Sequence, residues 1–428
     1  MLTRLDLRGF TGSLAEVLPR PEPVGATAVE TVRSIIAAVR EGGDDALAKF
    51  TERFDGTSPP SLRVGRTEMG EALERVGAEV REALYASAEA IRRYHEGQVR
   101  PESMHGSDGL VVRTIPRPVD RAGCYVPGGR AAYPSTLLMT AVPARVAGVD
   151  EVVVCVPPGP DGRIPDSTLA AAAVADVDMV HPVGGAQAIA ALAYGTASIV
   201  PVDVIVGPGN VYVAVAKQEV AGAVGIPAGF AGPSEVIVIA DDSVPPEFAA
   251  IDVVVQAEHG PNGLAWLVTW DEEVADAVEA AIGQIVVTSP RRSDIEATLA
   301  VAGNCLLIDG PVEALAVADE IAPEHLQLMC ANAGELALKV RNAGAVFCGP
   351  WSPASLGDYM AGPSHVLPTA GTARFAGALT ISDFTKDVHV VTADRAAIER
   401  LGPHIVALAE VEGLDAHAES VRMRLAHG

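Results

Sequence analysis

Apolar positions recur every three to four residues in 28–54 and again in 68–98, with polar residues between them. VETVRSIIAAVREGGDDALAKFTERF and EALERVGAEVREALYASAEAIRRYH therefore predict amphipathic helices, the first broken by a Gly-Gly pair. TSPPS at 57–61 predicts the loop between them. From about residue 115 the pattern changes. Short β-branched runs alternate with Ala-rich runs: AGCYVP with STLLMTAVPARVAG, DEVVVCVPP with STLAAAAVAD, VDMVHPVGG with AQAIAALAYG, VDVIVGPGN with VYVAVAKQEVAG. That strand–loop–helix rhythm predicts a parallel sheet covered by helices, with Gly/Pro-rich loops at the strand ends where ligands bind. SEVIVIAD closes that rhythm, and after Asp242 LAWLVTW, NCLLIDG, APEHLQLMC and GAVFCG, with helices between them, predict a second α/β sheet. Residues 376–428 read as a separate small element ending in two helices.

Composition sharpens this picture. The chain has 428 residues, too many for one ordinary core, with 49% apolar, 20% charged and only 4% aromatic residues. A core of Ala, Val and Gly suits close-packed helices on parallel strands. The formal charge of −24 argues against nucleic acid and against an anionic membrane surface. The five cysteines form no CxxC pair and read as buried thiols in a reducing compartment. With no apolar run of about 18 residues and no signal-like h-region, the sequence predicts a cytoplasmic protein.

Candidate chemistry is scattered. QAEHGPNG at 256–263 puts Gln256 and His259 at i and i+3, on one face at a helix end. Two ligands for a metal is one reading; a capping histidine beside a backbone-bonded amide is the other. APEHLQL places Glu324 beside His325, GDYMAGPSHVLP holds Asp358 and His365, and VEGLDAH holds Glu412 and His417. Such pairs on Gly/Pro-rich loops suit a site, or else an exposed surface. No HExxH, Cys/His ribbon, GxGxxG, GxSxG or Walker lysine occurs. Any metal site must be assembled from distant segments, and GPGN (207–210) and VGG (183–185) offer backbone donors of the kind a nucleotide site uses.

In this order the motifs resemble the histidinol dehydrogenase family. They are CYVPGG (124–129), STLLMTAVPARVAGV (135–149), PVGGAQAIAALAYGT (182–196), VDVIVGPGNVYVAVAK (202–217), AGPSEV (231–236), QAEHGP (256–261), APEHLQL (322–328), GDYMAGPSHVLPT (357–369) and EGLDAH (412–417). The resemblance implies oxidation of L-histidinol through L-histidinal to L-histidine with two NAD⁺ and one zinc per subunit. It implies a homodimer that exchanges its C-terminal element and shares its site between subunits. Carried over position by position, it makes Gln256, His259, Asp358 and His417 the zinc ligands. Glu324 and His325 become the catalytic pair, with His325 the base toward the hydroxyl and Glu324 activating water. Ser234, His365 and Glu412 join His325 and the zinc ligands as substrate contacts, and Tyr125, Gln187 and Asn210 become NAD⁺ contacts.

The implied architecture is α/β, with two Rossmann-like parallel-sheet domains. An arm (1–23) precedes a first domain (24–120 with 237–375), a second domain on the NAD side (121–236) and the exchanged element (376–428). Two departures occur: IPAGF lacks an acidic residue common there, and Val204 stands where a lysine is common. Three rivals share the motifs in part: a paralogue oxidising a sulfonated diol, a zinc hydrolase, and a metal-bound binding protein. Glu412 disfavours a sulfonate, the Gly-turned sheet disfavours a hydrolase, and the Glu324–His325 pair disfavours a passive binder.

Overall fold

Three sheets organise the chain, which the computed structural model describes over residues 1–19, 26–128, 131–227, 234–258 and 263–427. The first two are the α/β sheets that the alternating runs predict. Six parallel strands are ordered β1 (Thr3–Asp6), β11 (Gly303–Leu307), β10 (Leu264–Thr269), β9 (Glu235–Ala240), β12 (His325–Met329) and β13 (Ala345–Cys348). Five strands are ordered β2 (Val64–Gly65), β7 (Met179–His181), β6 (Glu151–Cys155), β5 (Arg121–Tyr125) and β8 (Val204–Val206), all parallel except β2. The third sheet is antiparallel: β14 (Thr385–Ala393), β4 (Leu110–Pro118) and β3 (Ser103–Ser107).

Helices α1 (Leu14–Val17), α2 (Ala26–Asp55), α3 (Arg66–Arg75) and α4 (Ala78–Glu96) precede the antiparallel sheet. The Gly-Gly interruption of α2 is a kink at Gly43, whose φ of 54° is left-handed. α5 (Pro134–Ala147), α6 (Asp166–Val174), α7 (Gly185–Tyr194) and α8 (Val211–Val220) cover the five-stranded sheet. α7 is buried on every side, residues 186–193 included, because it lies between its sheet and α2. Its alanines allow that close approach, where larger side chains would push the helices apart.

α9 (Pro246–Ala257), α10 (Glu272–Thr288), α11 (Arg292–Ala302), α12 (Pro311–Ile321) and α13 (Ala333–Ala337) serve the six-stranded sheet. α14 (Ala354–Tyr359) follows β13, and α15 (Arg395–Val411) with α16 (Asp415–Ala426) forms the last hairpin. Among the described residues, no helix is long and apolar enough to cross a membrane.

The packing regroups the segments expected from sequence. Residues 1–23, expected to form an arm, contain β1, which joins β11 in the six-stranded sheet. α2, α3 and α4 pack chiefly on α5–α8, and α4 also meets the segment after α14, Ser87 Oγ donating to the Tyr359 carbonyl at 2.6 Å. The reason is apolar complementarity. Val32, Ile35, Ile36, Val39 and Leu47 of α2 share one core with Ile189, Leu192 and Val213, while Met69, Leu84, Ala88 and Ile91 of α3 and α4 share another with α5 and α6. The 376–428 element is tied to 103–118 by the β14–β4 ladder, which runs from Thr385 opposite Pro118 to Ala393 opposite Leu110.

The turn after β8 is the tightest approach in the nucleotide-like sheet. Gly207 has a φ of +105°, and a Cβ there would run into the Tyr125 carbonyl at the end of β5. Gly207→Ala should therefore cost about 1–3 kcal/mol of backbone strain, read as a lowered denaturation midpoint. An unchanged midpoint would mean that the turn rebuilds without penalty.

Candidate functional site

Parallel strands β9 and β12 begin side by side, with His325 opposite Val236. The backbone of one residue, Glu235, then holds both members of the APEHL pair. Its N–H donates to Glu324 Oε2 at 3.1 Å, and its carbonyl faces His325 Nδ1 at 3.3 Å. The Ser234 hydroxyl also bonds the Glu324 carboxyl. His325 and Glu324 are themselves 3.7 Å apart, Nδ1 to Oε2, and both are 7% exposed.

Asp358, at the end of α14, brings its carboxylate to 4.0 Å from His325 Nε2 and 3.8 Å from His365 Nδ1. No Lys or Arg pairs with it among the described residues. His365 Nδ1 lies 3.1 Å from the Asp358 carbonyl, and its Nε2 lies 3.1 Å from Thr136 Oγ1 in the first turn of α5. Ser364 Oγ donates to the Met139 carbonyl of the same helix at 3.0 Å. The loop from Asp358 to His365 thus bridges the six-stranded and five-stranded units, and the cluster sits at their junction.

The electrostatics follow from burial. A carbonyl only accepts, so His325 Nδ1 carries the proton and Nε2 keeps its lone pair toward Asp358. Burial lowers the His325 pKa, so the ring stays neutral near pH 7 and can accept a proton. Burial pushes Glu324 up to about 8, with Asp358 adding to the rise and the Glu235 N–H opposing it. Glu235 is also pushed up to about 8, by burial first and the Glu324 carboxylate second. Two poorly solvated carboxyls thus lie beside a neutral imidazole, an arrangement suited to moving protons.

Gln256 is on the last turn of α9, 4% exposed, with its Nε2 buried and unpartnered. α9 runs antiparallel to the strands it covers, so its end arrives at the edge where β9 and β12 begin. Tyr359, next to Asp358, is raised first by burial and then by the carboxylates of Asp358 and Glu258, the residue capping α9. The ends of α9 and α14 therefore face each other. His259 lies outside the described residues. Glu412 and His417 are exposed on the α15–α16 hairpin, and no hydrogen bond or ion pair brings either to Glu324, His325 or Asp358 among the described residues. Among the described residues, no three His, Cys, Asp or Glu side chains gather as a metal cluster. Two oxygen donors present nonetheless fit a zinc ion: the buried Gln256 amide oxygen at the end of α9, and the Asp358 carboxylate, with which no Lys or Arg pairs among the described residues.

The three expected NAD⁺ contacts lie at one edge of the five-stranded sheet. Tyr125 ends β5, 3% exposed, and its hydroxyl accepts from the Gly185 N–H at 3.0 Å. Gln187 is in the first turn of α7, 1% exposed, with neither amide atom partnered. Asn210 caps α8, its Oδ1 accepting from the N–H groups of Tyr212 and Val213 at 3.0 and 3.1 Å. A Cβ on Gly184 would strike Pro157, and one on Gly185 would stand 2.6 Å from Gln187 Oε1. Two bare glycine turns, two helix N-termini and an unpaired buried amide fit a dinucleotide.

Sequence reasoning missed Glu235 and Thr136. Both lie in quoted motifs, and the available signal for Glu235 was a carboxylate opening an apolar strand, a placement that costs too much to be accidental.

The family model described as histidinol dehydrogenase matches residues 18–425. A histidinol dehydrogenase of Parasynechococcus marenigrum (strain WH8102) is 48% identical over 393 residues, 91% of this chain and 90% of that one. One from Gluconobacter oxydans (strain 621H) is 42% identical over 430 residues, 99% of both. The crystal structure of histidinol dehydrogenase from Elizabethkingia anophelis superposes with a TM-score of 0.93 at 32% identity, covering 99% of this chain and 98% of that one.

The raised Glu324 pKa carries a pH signature in metal-free protein. An unfolded glutamate ionises near 4.5, so between about 4.5 and 8 the folded state holds a proton that the unfolded state has lost. Stability from this group is complete below 4.5 and falls as pH rises toward 8. Glu324→Gln, which cannot ionise, should therefore gain stability relative to the parent as pH rises through that window, measured by urea unfolding at pH 5 and pH 8. A constant difference would show that Glu324 is not held protonated.

Proposed function

The chain belongs to the histidinol dehydrogenase family and is an oxidoreductase, and on that premise we propose that it oxidises L-histidinol to L-histidine through L-histidinal, using zinc and two NAD⁺. The observation that carries this reading is the buried Glu324–His325–Asp358 cluster facing the end of α9. We place the enzyme in the cytoplasm, where its five unpaired cysteines remain reduced.

Gln256, His259 and Asp358 of one chain, with His417 of the other, would hold the zinc. When bound, zinc supplies a redox-inert Lewis acid that orients the amino and imidazole nitrogens of the substrate. Gln187, Asn210 and the turn that Tyr125 supports would hold NAD⁺, which would supply the hydride acceptor for each oxidation. His325 Nε2 removes the hydroxyl proton as the first hydride leaves the alcohol carbon. Its neutral state and its fixed Nδ1–H support that role. Glu324, in its ionised form, draws a proton from water as the oxygen adds to the aldehyde; its raised pKa makes that form a stronger base than an ordinary carboxylate. The resulting gem-diol would give up the second hydride from carbon and one hydroxyl proton to His325, leaving the carboxylic acid, which ionises to the carboxylate. Ser234 and His365 contact the substrate beside this pair, and Glu412 accepts a hydrogen bond from its amino group.

Glu412 and His417 stand on the hairpin, apart from the rest of the proposed site, which supports a homodimer with exchanged C-terminal elements. The hairpin and its sheet also expose Val391, Leu408, Val411 and Met423, at 65%, 67%, 88% and 56%. That much apolar surface on one element marks a face awaiting a partner.

Zinc-loaded protein should yield two NADH per L-histidinol, read at 340 nm. The yield should vanish with chelator and return with zinc; turnover of a different alcohol alone would overturn the substrate. His325→Asn should slow alcohol oxidation roughly 10²–10⁴-fold. Glu324→Gln should spare the alcohol step and slow the aldehyde step, so equal losses in both would defeat the division of labour. A separate assay addresses sharing of the site. Inactive His325→Asn and His417→Asn chains, unfolded and refolded together, should recover about a quarter of parental activity, because each mixed dimer regains one intact site. No recovery would place His417 in its own chain's site.

A further inference from the structure

Lys217 is fully enclosed on α8, 1% exposed, and its ammonium donates to the Gly207 carbonyl at the head of the GPGN turn. A buried lysine normally has a carboxylate partner, because desolvating a lone ammonium costs several kcal/mol. None acts on Lys217 among the described residues: burial is the sole influence on its pKa, which falls to about 8. One acceptor serves a group with three donors. An apolar side chain would fill the position at lower cost, so the charge itself needs an explanation.

The turn it touches supplies one. Gly207 sits under the Tyr125 carbonyl in left-handed conformation, and Asn210 three residues on caps α8. Tyr125 in turn accepts from the Gly185 N–H of the neighbouring turn. Lys217 therefore braces, from behind, the surface on which the nucleotide is proposed to lie, and does so with an unneutralised positive charge. We propose that Lys217 is a positioning residue of the dinucleotide site, holding the 207–210 turn and giving it the positive potential that favours the pyrophosphate of NAD⁺. The inference rests on the placement of the nucleotide at this turn.

The test is NADH and ADP-ribose binding to the full-length enzyme, by fluorescence and calorimetry, with zinc content and thermal midpoint measured alongside. Lys217→Met should weaken both ligands at least tenfold and equally, because both carry the pyrophosphate. Zinc content should be unchanged and the midpoint within a few degrees of the parent, since the lost hydrogen bond is offset by removal of a buried charge. Lys217→Gln keeps a donor for Gly207 without the charge and should fall between the two, and it carries the test if the methionine variant does not fold. Affinities within twofold of the parent in the variants that fold overturn the proposal, as does a loss that merely tracks the unfolded fraction. Asn210→Ala separates the two failures. If it alone weakens NADH, the turn binds the nucleotide without help from Lys217; if it too has no effect, the nucleotide is not on this turn.

Discussion

The register between β9 and β12 is the constraint on which the cluster depends. Parallel strands alternate their side chains, so a slip of one residue would turn His325 to the opposite face and move Glu324 away from the Glu235 N–H. Apolar residues on both faces of these strands hold the register. Val236, Val238 and Met329 pack toward α9, while Ile237, Ile239, Leu326 and Leu328 pack toward α12. Each such side chain contributes roughly 1.5–3 kcal/mol of burial. The positions of two reactive side chains are thus enforced by residues that never meet a substrate.

The same burial makes the junction of the units an expensive place for polar groups. Glu324, Glu235 and Asp252 are all pushed above the usual carboxyl range by desolvation, and Lys217 is pushed below the usual ammonium range. Gln187 and Gln256 hold amide atoms with no partner. The cores around them consist of Val, Ile, Leu and Ala, which satisfy themselves by contact. Unmet polar capacity of this kind is what a ligand-binding site requires and what a purely structural core avoids.

The two groups of site residues stand at opposite kinds of strand end. Tyr125, Gln187 and Asn210 lie at the carboxyl ends of β5, β7 and β8, the usual place for a ligand in an open α/β sheet. Glu235 and His325 instead open β9 and β12, at the amino ends of their strands. The chain can use that edge because α9 runs back along the sheet and delivers its C-terminus there, and because the 358–365 loop crosses over to α5. No rule of single-sheet topology anticipates it, since it depends on how one sheet stands against the other.

Much of this was legible in residue order. The change near 115 from 3.6-residue periodicity to short continuous β-branched runs located the strands, because a strand buried on both faces must be apolar throughout. The Gly-Gly break in α2, the caps around GPGN and the Glu324–His325 pair follow from local stereochemistry and chemical type, which the chain carries wherever it folds. Contacts between distant segments were not legible. The pairing of β1 with β11 and the packing of α2–α4 on α5–α8 could not be read in advance, because an amphipathic face specifies that it must be covered and not by what. Glu235 passed unnoticed because its importance lies in a backbone N–H and carbonyl, which every residue possesses and only strand pairing assigns. The sequence by itself determined which residues are buried, which turn and which are able to move a proton. The tertiary structure alone decided which of them meet, because long-range pairing depends on the summed complementarity of whole faces.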